Sequence, residues 1–157
     1  MRLTQWTDYA LRVLMYCAQH QTRAQPVTIT EIAESHGISR SHLTKIVNDL
    51  AGRGWIETTR GRGGGMRLLK PASEISLGAV VRDTETDFTL VECFDPVNNQ
   101  CKVVKHCTLK SVLHRATQNF LAELDKVSLA DVQAHATSAT SAPKLSVVQL
   151  TPARPQR

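Results

Sequence analysis

The fold of this chain is decided by residues 28–68, which read TITEIAESHGISRSHLTKIVNDLAGRGWIETTRGRGGGMRL. Thr28 followed by Glu31 is the pattern of a capping box, in which the hydroxyl accepts from a free backbone N–H and the carboxylate bonds back to the cap. Gly37 is placed to end this short helix, and Ser39 is placed to cap the next one. Two short helices joined by a tight turn predict a helix-turn-helix.

The segment that follows has the pattern of a β-hairpin. Residues 55–59 alternate as a strand does, 60–65 form a glycine-rich loop, and 66–69 return. A helix-turn-helix followed by a hairpin is a winged helix, so we predict a DNA-binding domain over residues 1–70. It begins with a helix at about 4–19. The apolar stripe predicted for that helix is Leu3, Leu11, Leu14, Met15 and Ala18.

Residues 71–135 are predicted to hold a cysteine-containing loop and dimerisation helices. Ser76 is placed to cap a helix at 77–85, and a long helix is expected at 108–126. Apolar residues recur along the long helix at spacings of three and four: Leu109, Val112, Leu113, Ala116, Phe120, Leu124 and Val127. So short a chain cannot easily cover this stripe, so a helix of a second copy is its natural partner.

The predicted fold class is mainly α with a small β-hairpin, a winged helix-turn-helix plus a long C-terminal dimerisation helix. Ser128 is expected to cap one last short turn. Residues 136–157 are poor in large apolar side chains and are expected to form a disordered tail.

The distribution of charge favours a nucleic-acid partner for the N-terminal half. Residues 1–70 contain ten Lys/Arg and five Asp/Glu, and the remainder contains nine of each, so the whole net charge of +5 lies in that half. We find no secretory signal and no apolar run near the roughly 20 residues that span a membrane, so we expect a cytoplasmic protein. No enzyme is expected, because there is no CxxC pair and the glycine-rich loop precedes a strand instead of a helix.

The candidate DNA contacts lie at the start of the second helix-turn-helix helix and in the hairpin. The first residues of a recognition helix reach base edges, and here they are Ser39, Arg40, Ser41, His42, Thr44 and Lys45. Arg40 suits guanine, while Arg60, Arg62 and Arg67 suit phosphates or a narrow minor groove. Thr28, at the start of the preceding helix, is also a candidate. The alternatives are a solvated helix face and a flexible turn with incidental charge.

Three cysteines, Cys93, Cys101 and Cys107, lie within fifteen residues with spacings of x7 and x5. Disulfides are disfavoured by the expected compartment. Zinc stays open, with His106 as a fourth ligand, although structural zinc sites usually contain a CxxC pair. An iron–sulfur cluster (4Fe–4S or 2Fe–2S) also stays open, because it needs thiolates and tolerates a non-cysteine ligand. Cys17 lies near the apolar stripe of the first helix and is expected to be a core thiol.

Four stretches together resemble the Rrf2 family of winged-helix repressors. They are residues 1–12 (MRLTQWTDYALR), 32–39 (IAESHGIS), 61–65 (GRGGG) and 76–81 (SLGAVV), and the resemblance covers residues 1 to about 130. It implies a homodimeric, operator-binding regulator that carries an iron–sulfur cluster. The x7 and x5 spacing is similar to that of the nitric-oxide-sensing members. Members that regulate cluster biogenesis have a shorter first spacing and a histidine ligand at the position of Lys110.

In the nitric-oxide-sensing members the fourth ligand is an aspartate near the N-terminus of the other subunit, and the matching residue is Asp8. A simpler role for Asp8 is that of a carboxylate at a helix start, which the helix dipole favours by roughly 0.3–1 kcal/mol. The resemblance therefore implies a repressor that senses nitric oxide and releases operator DNA when its cluster is nitrosylated. The alternatives are a same-fold regulator that senses iron or cluster status and a zinc-stapled structural adaptor.

Overall fold

The structure, a computed structural model, describes residues 2–103 and 106–137, and for 134–137 the backbone alone. In chain order the described elements are α1 (Gln5–Gln19), α2 (Ile29–His36), α3 (Arg40–Gly52), β1 (Ile56–Thr59), β2 (Gly65–Leu68), α4 (Leu77–Thr84), α5 (Thr108–Asp125) and α6 (Leu129–Thr137). Short 3₁₀ turns at Ala72–Glu74 and Glu92–Phe94 flank α4. The predicted fold class, mainly α with one small hairpin, is confirmed.

Local side-chain hydrogen bonds set the starts and ends of the helix-turn-helix. Thr28 and Glu31 form the predicted capping box, with Glu31 N donating to Thr28 Oγ1 at 3.3 Å and Thr28 N donating to Glu31 Oε2 at 2.6 Å. Gly37 ends α2 with φ of 64°, a backbone conformation that glycine adopts without strain. Ser39 Oγ accepts from His42 N at 3.3 Å and so begins α3. The predicted caps are confirmed.

The hairpin is antiparallel, and its base is bonded to the segment between α1 and α2. Thr59 lies opposite Gly65. Val27 N donates to Met66 O at 3.1 Å, and Met66 N donates to Val27 O at 2.7 Å. A Cβ atom on residue 65 would lie 2.4 Å from Val27 O, so only glycine fits where the two backbones meet. The base of the wing is therefore fixed to the helical part of the domain.

The hydrophobic core surrounds α1, which packs against α3, α4, α6 and β2. The buried residues of α1 are Thr7, Ala10, Val13, Leu14, Cys17 and Ala18. The predicted stripe was partly wrong, because Leu14 and Ala18 are buried while Met15 is 39% exposed. Neighbours on several sides of α1 widen the buried arc, which includes Val13, a residue that the prediction omitted, and Cys17, which was predicted as a core thiol beside the stripe.

The last helix is longer than the single turn that the sequence predicted. Ser128 Oγ accepts from Asp131 N at 3.3 Å, and Ser128 N donates to Asp131 Oδ2 at 2.8 Å, which forms a capping box. Leu129 is fully buried, and its N–H donates to Ile75 O at 2.8 Å. This docking stabilises α6, which continues two residues into the predicted tail. The rest of that tail, 138–157, lies outside the described residues.

The long helix α5 leaves much of its apolar stripe uncovered. Its 18 residues include only one buried side chain, that of Thr117, whereas Leu109 is 59% and Val112 is 49% exposed. No other part of the described chain covers these two side chains. None of the helices within residues 2–103 and 106–137 is long and apolar enough to cross a membrane.

Candidate DNA interface and cysteine segment

The recognition helix α3 directs its predicted DNA contacts toward solvent. Its inner residues Leu43, Ile46, Val47 and Leu50 are buried, which fixes the orientation of the outer face. Five predicted contacts on that face are exposed: Ser39, Arg40, Ser41, Thr44 and Lys45. Thr44 Oγ1 donates to Arg40 O at 2.7 Å. The face thus presents two cations and three hydroxyls, which are the groups that bond phosphates and base edges.

His42, the sixth predicted contact on α3, is half-buried and packs against α1. Its ring lies 5.2 Å from the Tyr9 ring in an edge-on arrangement and 6.1 Å from the Trp6 ring. Trp6 Nε1 also donates to Asp49 Oδ2 at 3.0 Å, about two helical turns further along α3 than His42. These contacts fasten the recognition helix to α1 at two points. A DNA contact by His42 stays a prediction.

The arginines of the wing have different surroundings. Arg60 and Arg62 are exposed at the tip of the hairpin. Arg67 lies in β2, and its guanidinium donates to Arg23 O at 3.0 Å and also to Ala24 O. Arg67 therefore fastens the hairpin to the segment between α1 and α2, and a DNA contact by its side chain would compete with these bonds.

Thr28 is half-buried and engaged in the capping box of α2. Its Oγ1 donates to Glu31 Oε2 at 2.8 Å, and Arg23 Nη2 lies 2.8 Å from the other carboxylate oxygen of Glu31. Partial burial tends to raise the pKa of Glu31, but hydrogen bonds from the Thr28 backbone and from Arg23 outweigh it and hold the pKa below its ordinary value. The start of α2 is thus stabilised by charge, and a DNA contact by Thr28 stays a prediction.

The cysteine segment, defined here as residues 91–107, lies between α4 and α5, and its described residues have little regular structure. Cys93 lies in the short turn Glu92–Phe94, Cys101 lies in a loop, and Cys107 is the residue that precedes the first turn of α5. All three are free thiols and half-buried. Their side chains are therefore available for chemistry that a core thiol does not support.

The described residues of one chain do not assemble the predicted metal site. Across 2–103 and 106–137, no three His, Cys, Asp or Glu side chains form a group that could hold a metal ion. The three cysteines, His106 and Asp8 are thus not brought together within a single copy. The donor types still fit a cluster, because soft thiolates are its preferred ligands and these three lie outside the core.

Cys17 shows what distinguishes a core thiol from these three. It is 2% exposed, and burial, partly offset by Arg23, raises the pKa of its thiol to about 12. Such a thiol does not ionise near neutral pH and is a poor ligand. The prediction that Cys17 belongs to the core is confirmed.

Asp8 lies in the first turn of α1 and pairs with Arg12 of the same helix. Arg12 Nε donates to Asp8 Oδ1 at 3.1 Å, and Arg12 Nη2 lies 2.9 Å from Asp8 Oδ2. The guanidinium of Arg12 also lies 5.8 Å from the centre of the Tyr9 ring. Within one chain the carboxylate therefore has a cationic partner, and its role as a ligand stays a prediction about the dimer.

A hydrogen-bonded network that joins α3, the hairpin and α4 was not predicted. Arg53, which follows α3, donates from Nε to Asp49 Oδ1 at 2.9 Å and from Nη1 to Asp83 Oδ1 at 3.1 Å. Trp55, which precedes β1, donates from Nε1 to Asp83 Oδ2 at 2.6 Å. The spacing of Asp49 and Arg53 was a usable signal, since side chains four apart are neighbours on a helix. Asp83 comes from a distant helix and gave no such signal.

The comparison with protein families matches residues 3–135 to the Rrf2 family, described as "Iron-dependent Transcriptional regulator". The chain belongs to the Rrf2 family. It is 46% identical over 132 residues to the HTH-type transcriptional regulator NsrR of Bacillus subtilis (strain 168), a match that covers 84% of this chain and 90% of that protein. NsrR of Geobacillus kaustophilus (strain HTA426) is also 46% identical over 132 residues, which cover 84% of this chain and 89% of its own length. This Rrf2 protein is thus an NsrR-like transcriptional regulator.

Solved structures agree with the family assignment. The structure of T. potens IscR superposes with a TM-score of 0.71 at 25% identity, covering 91% of this chain and 93% of that one. CymR, the global cysteine regulator of B. subtilis, superposes with a TM-score of 0.66 at 21% identity over 86% of this chain and 98% of its own. The CymR likeness shows the shared fold alone. The predicted winged-helix architecture of the Rrf2 family is therefore confirmed.

Proposed function

We propose that this Rrf2-family regulator is a homodimeric repressor that holds an iron–sulfur cluster and releases operator DNA in response to nitric oxide. The observation that carries the proposal is the set of three free, half-buried thiols at x7 and x5 spacing, in a chain 46% identical to NsrR of B. subtilis.

The exposed face of α3 and the tip of the wing support the DNA-binding part of the proposal. Arg40 and Lys45 are both exposed on the N-terminal half of α3, and Arg60 and Arg62 are exposed at the tip of the hairpin. A recognition helix in the major groove with an arginine-bearing wing beside it neutralises phosphates at two places. The excess positive charge of residues 1–70 acts in the same direction.

The exposed apolar side of α5 supports the homodimer. Leu109 and Val112 lie one turn apart, and both are about half exposed. An apolar stripe on an 18-residue helix is stabilised when a second helix covers it. The matching helix of a second copy offers the same stripe, which suits a two-fold symmetric contact.

Cys93, Cys101 and Cys107 are the thiolates that would hold the cluster, with Asp8 of the partner subunit as the fourth donor. When bound, the cluster supplies iron that reacts with nitric oxide. A carboxylate oxygen is a weaker partner for such iron than a thiolate, so the donor that yields most easily is the aspartate. To serve as a donor, the Asp8 carboxylate has to exchange its ion pair with Arg12.

That exchange takes place on the helix that supports the recognition helix. Arg12 lies against Tyr9, and Tyr9 contacts His42 of α3. A change in the partner of Asp8 therefore acts close to the orientation of α3. A dimer has to match half-sites about 34–36 Å apart or a multiple of that distance, so a small rotation of α3 lowers operator affinity.

The test is an anaerobic purification followed by native mass spectrometry before and after exposure to nitric oxide. We expect a coloured dimer with iron and sulfide that binds an operator duplex, and we expect nitric oxide to lower that affinity. The duplex is one that the anaerobic protein has enriched from a random-sequence pool. A colourless protein that carries stable zinc would overturn the proposal in favour of a zinc-stapled adaptor. A coloured protein whose DNA affinity does not change with nitric oxide would overturn the assignment of nitric oxide as the effector.

The second candidate function is a regulator of the same fold that senses iron or cluster status. The family description "Iron-dependent Transcriptional regulator" and the structural likeness to T. potens IscR favour it. The same preparation separates the two functions. In this second case, removal of iron by a chelator would by itself produce the whole change in operator affinity. Nitric oxide added afterwards would produce no further change.

A further inference from the structure

One carboxylate links the end of the recognition helix to the start of the wing. Asp83, near the end of α4, accepts from Arg53 Nη1 at 3.1 Å with one oxygen and from Trp55 Nε1 at 2.6 Å with the other. Arg53 follows α3 directly, and Trp55 precedes β1. The two DNA-reading elements are thus joined, through the two oxygens of a single side chain, to a helix outside the DNA interface.

The same network reaches α1. Arg53 also donates to Asp49, and Asp49 accepts from Trp6 Nε1 at 3.0 Å. The hydrogen bond to Asp49, offset in part by burial and reinforced by Asp83, raises the pKa of Arg53. The charged guanidinium thus donates to both carboxylates. Five side chains from α1, α3, the wing and α4 are connected in series.

The neighbours of Asp83 bind α4 to α5 and to the start of α1. Arg82 Nη2 donates to Asp125 Oδ2 of α5 at 2.7 Å. Glu85, the residue that follows α4, accepts from the backbone N–H of Thr4 at 2.7 Å, at the start of α1. Asp83 therefore projects from a turn whose other side chains bind the proposed dimerisation helix and the start of α1.

We propose that Asp83 is a positioning residue for operator recognition, which holds α3 and the wing at a fixed angle to each other and to α4. The proposal rests on the DNA-binding part of the proposed function. Both carboxylate oxygens are needed, because each accepts from a different donor. In Asp83→Asn the side chain keeps its shape, but its NH₂ group faces one of the two donors and that bond is lost. A merely stabilising role would change folding without changing which DNA sequence is preferred.

The experiment compares full-length wild type, Asp83→Asn and Glu74→Gln on two duplexes of equal length. One is the duplex enriched by the wild-type protein from a random pool, and the other is a scrambled sequence. Glu74 is exposed in the turn Ala72–Glu74. Both substitutions raise the net charge by one, so Glu74→Gln controls for the change in overall charge. All three proteins are prepared anaerobically in one way.

We expect Asp83→Asn to lower the ratio of operator to scrambled affinity by about tenfold or more, with scrambled binding equal to that of Glu74→Gln. An unchanged ratio would overturn the proposal while leaving the proposed function intact. A wild-type protein that enriches no sequence would instead overturn the proposed function. If Asp83→Asn does not fold, Trp55→Phe removes the indole N–H bond while keeping an aromatic ring at the base of the wing, and it is expected to lower the same ratio by a smaller factor.

A second cycle separates positioning from stability. Arg62→Ala, at the wing tip, is measured in wild type and in Asp83→Asn. If Asp83 sets the position of the wing, the loss of operator affinity from Arg62→Ala shrinks from about tenfold to less than about threefold in the Asp83→Asn background. Independent losses that multiply would show that Asp83 acts only on stability and would overturn the proposal.

Discussion

The helices α3 and α5 both carry apolar stripes, but the chain covers only one of them. In α3 the residues Leu43, Ile46 and Leu50 are fully buried beneath α1 and the hairpin. In α5 the residues Leu109 and Val112 are about half exposed, and Val97 and Val103 of the cysteine segment before it are exposed as well. The core of the winged-helix half is thus complete in one copy. The half that carries the cysteines has an exposed apolar surface, which we propose a second copy covers while its Asp8 joins the three thiolates.

The largest expected difference between the two halves concerns iron. Cys101→Ala in the cysteine segment is expected to abolish iron binding, because two thiolates and a carboxylate remain. Cys17→Ala in the core is expected to retain iron and to lower the free energy of unfolding by about 1 kcal/mol, since it leaves a small cavity. Iron content and visible absorption of the anaerobic proteins test both. Iron retained without Cys101 would contradict the ligand assignment.

The next contrast is between the stability costs of truncating an apolar side chain in each of the two halves. Leu43→Ala in α3 is expected to lower the free energy of unfolding by about 2–5 kcal/mol, because it opens a cavity in a closed core. Val97, in the cysteine segment, is 85% exposed, so Val97→Ala is expected to cost less than about 0.5 kcal/mol. Urea unfolding at equal protein concentration gives both values. Similar losses would contradict the division into a closed half and an open half.

A charged side chain introduced into the exposed stripe of α5 tests whether this stripe forms the dimer contact. Leu109→Glu is expected to raise the dissociation constant of the dimer by more than about 100-fold, since like charges would face each other across the contact. Ser111 is exposed on the opposite side of α5, and Ser111→Glu is the matched control with no expected effect. Analytical ultracentrifugation measures both. Equal sedimentation of the two variants would mean that another surface forms the dimer.

Substitutions of two hairpin arginines are expected to have smaller effects, one on DNA binding and the other on stability. Arg62→Ala at the tip should reduce the slope of log affinity against log salt by about 1, because one phosphate contact is lost. Arg67→Ala should instead lower the free energy of unfolding by about 1 kcal/mol, because it removes bonds to the carbonyls of Arg23 and Ala24. Salt titrations of DNA binding and urea unfolding separate the two roles. A lower salt slope for Arg67→Ala alone would reverse the assignment.

The smallest expected effect is a pH dependence at the start of α2. The pKa of Glu31 in the folded protein lies below its ordinary value of 4.5, so its carboxylate stabilises the fold above that pH. This stabilisation is lost as pH falls through the lower folded pKa. Glu31→Gln is expected to cost less than about 1 kcal/mol at pH 7, and the gap to wild type should close in acid. A gap that stays constant with pH would assign the effect to packing.

The parts of the fold that the sequence predicted correctly depend on neighbours in the chain. Thr28 and Glu31 are three residues apart, and Gly37 and Ser39 mark the turn that follows them. Their hydrogen bonds involve only local backbone, so the rules of capping are sufficient to place α2 and α3 within a residue or two.

The parts that were missed depend on distant contacts. The length of α6 follows from the docking of Leu129 on Ile75, and the network at Asp83 joins residues about thirty apart. Met15 is exposed because the neighbours of α1 determine which arc is buried. For the cysteine segment, the spacing predicts which thiolates act together, but the fourth donor is assigned to another copy. No periodicity within one chain carries that information.

The backbone contact between Gly65 and Val27 has a consequence for how such a regulator diverges. Because a side chain at position 65 would collide with a carbonyl oxygen, the base of the wing has almost no freedom to vary. The tip has no such restriction, and Arg60 and Arg62 are exposed. A lineage that acquires a new operator is therefore expected to change the tip and the outer face of α3 while position 65 stays glycine. The hairpin therefore contains a base whose sequence is constrained by packing and a tip whose sequence can change with the operator.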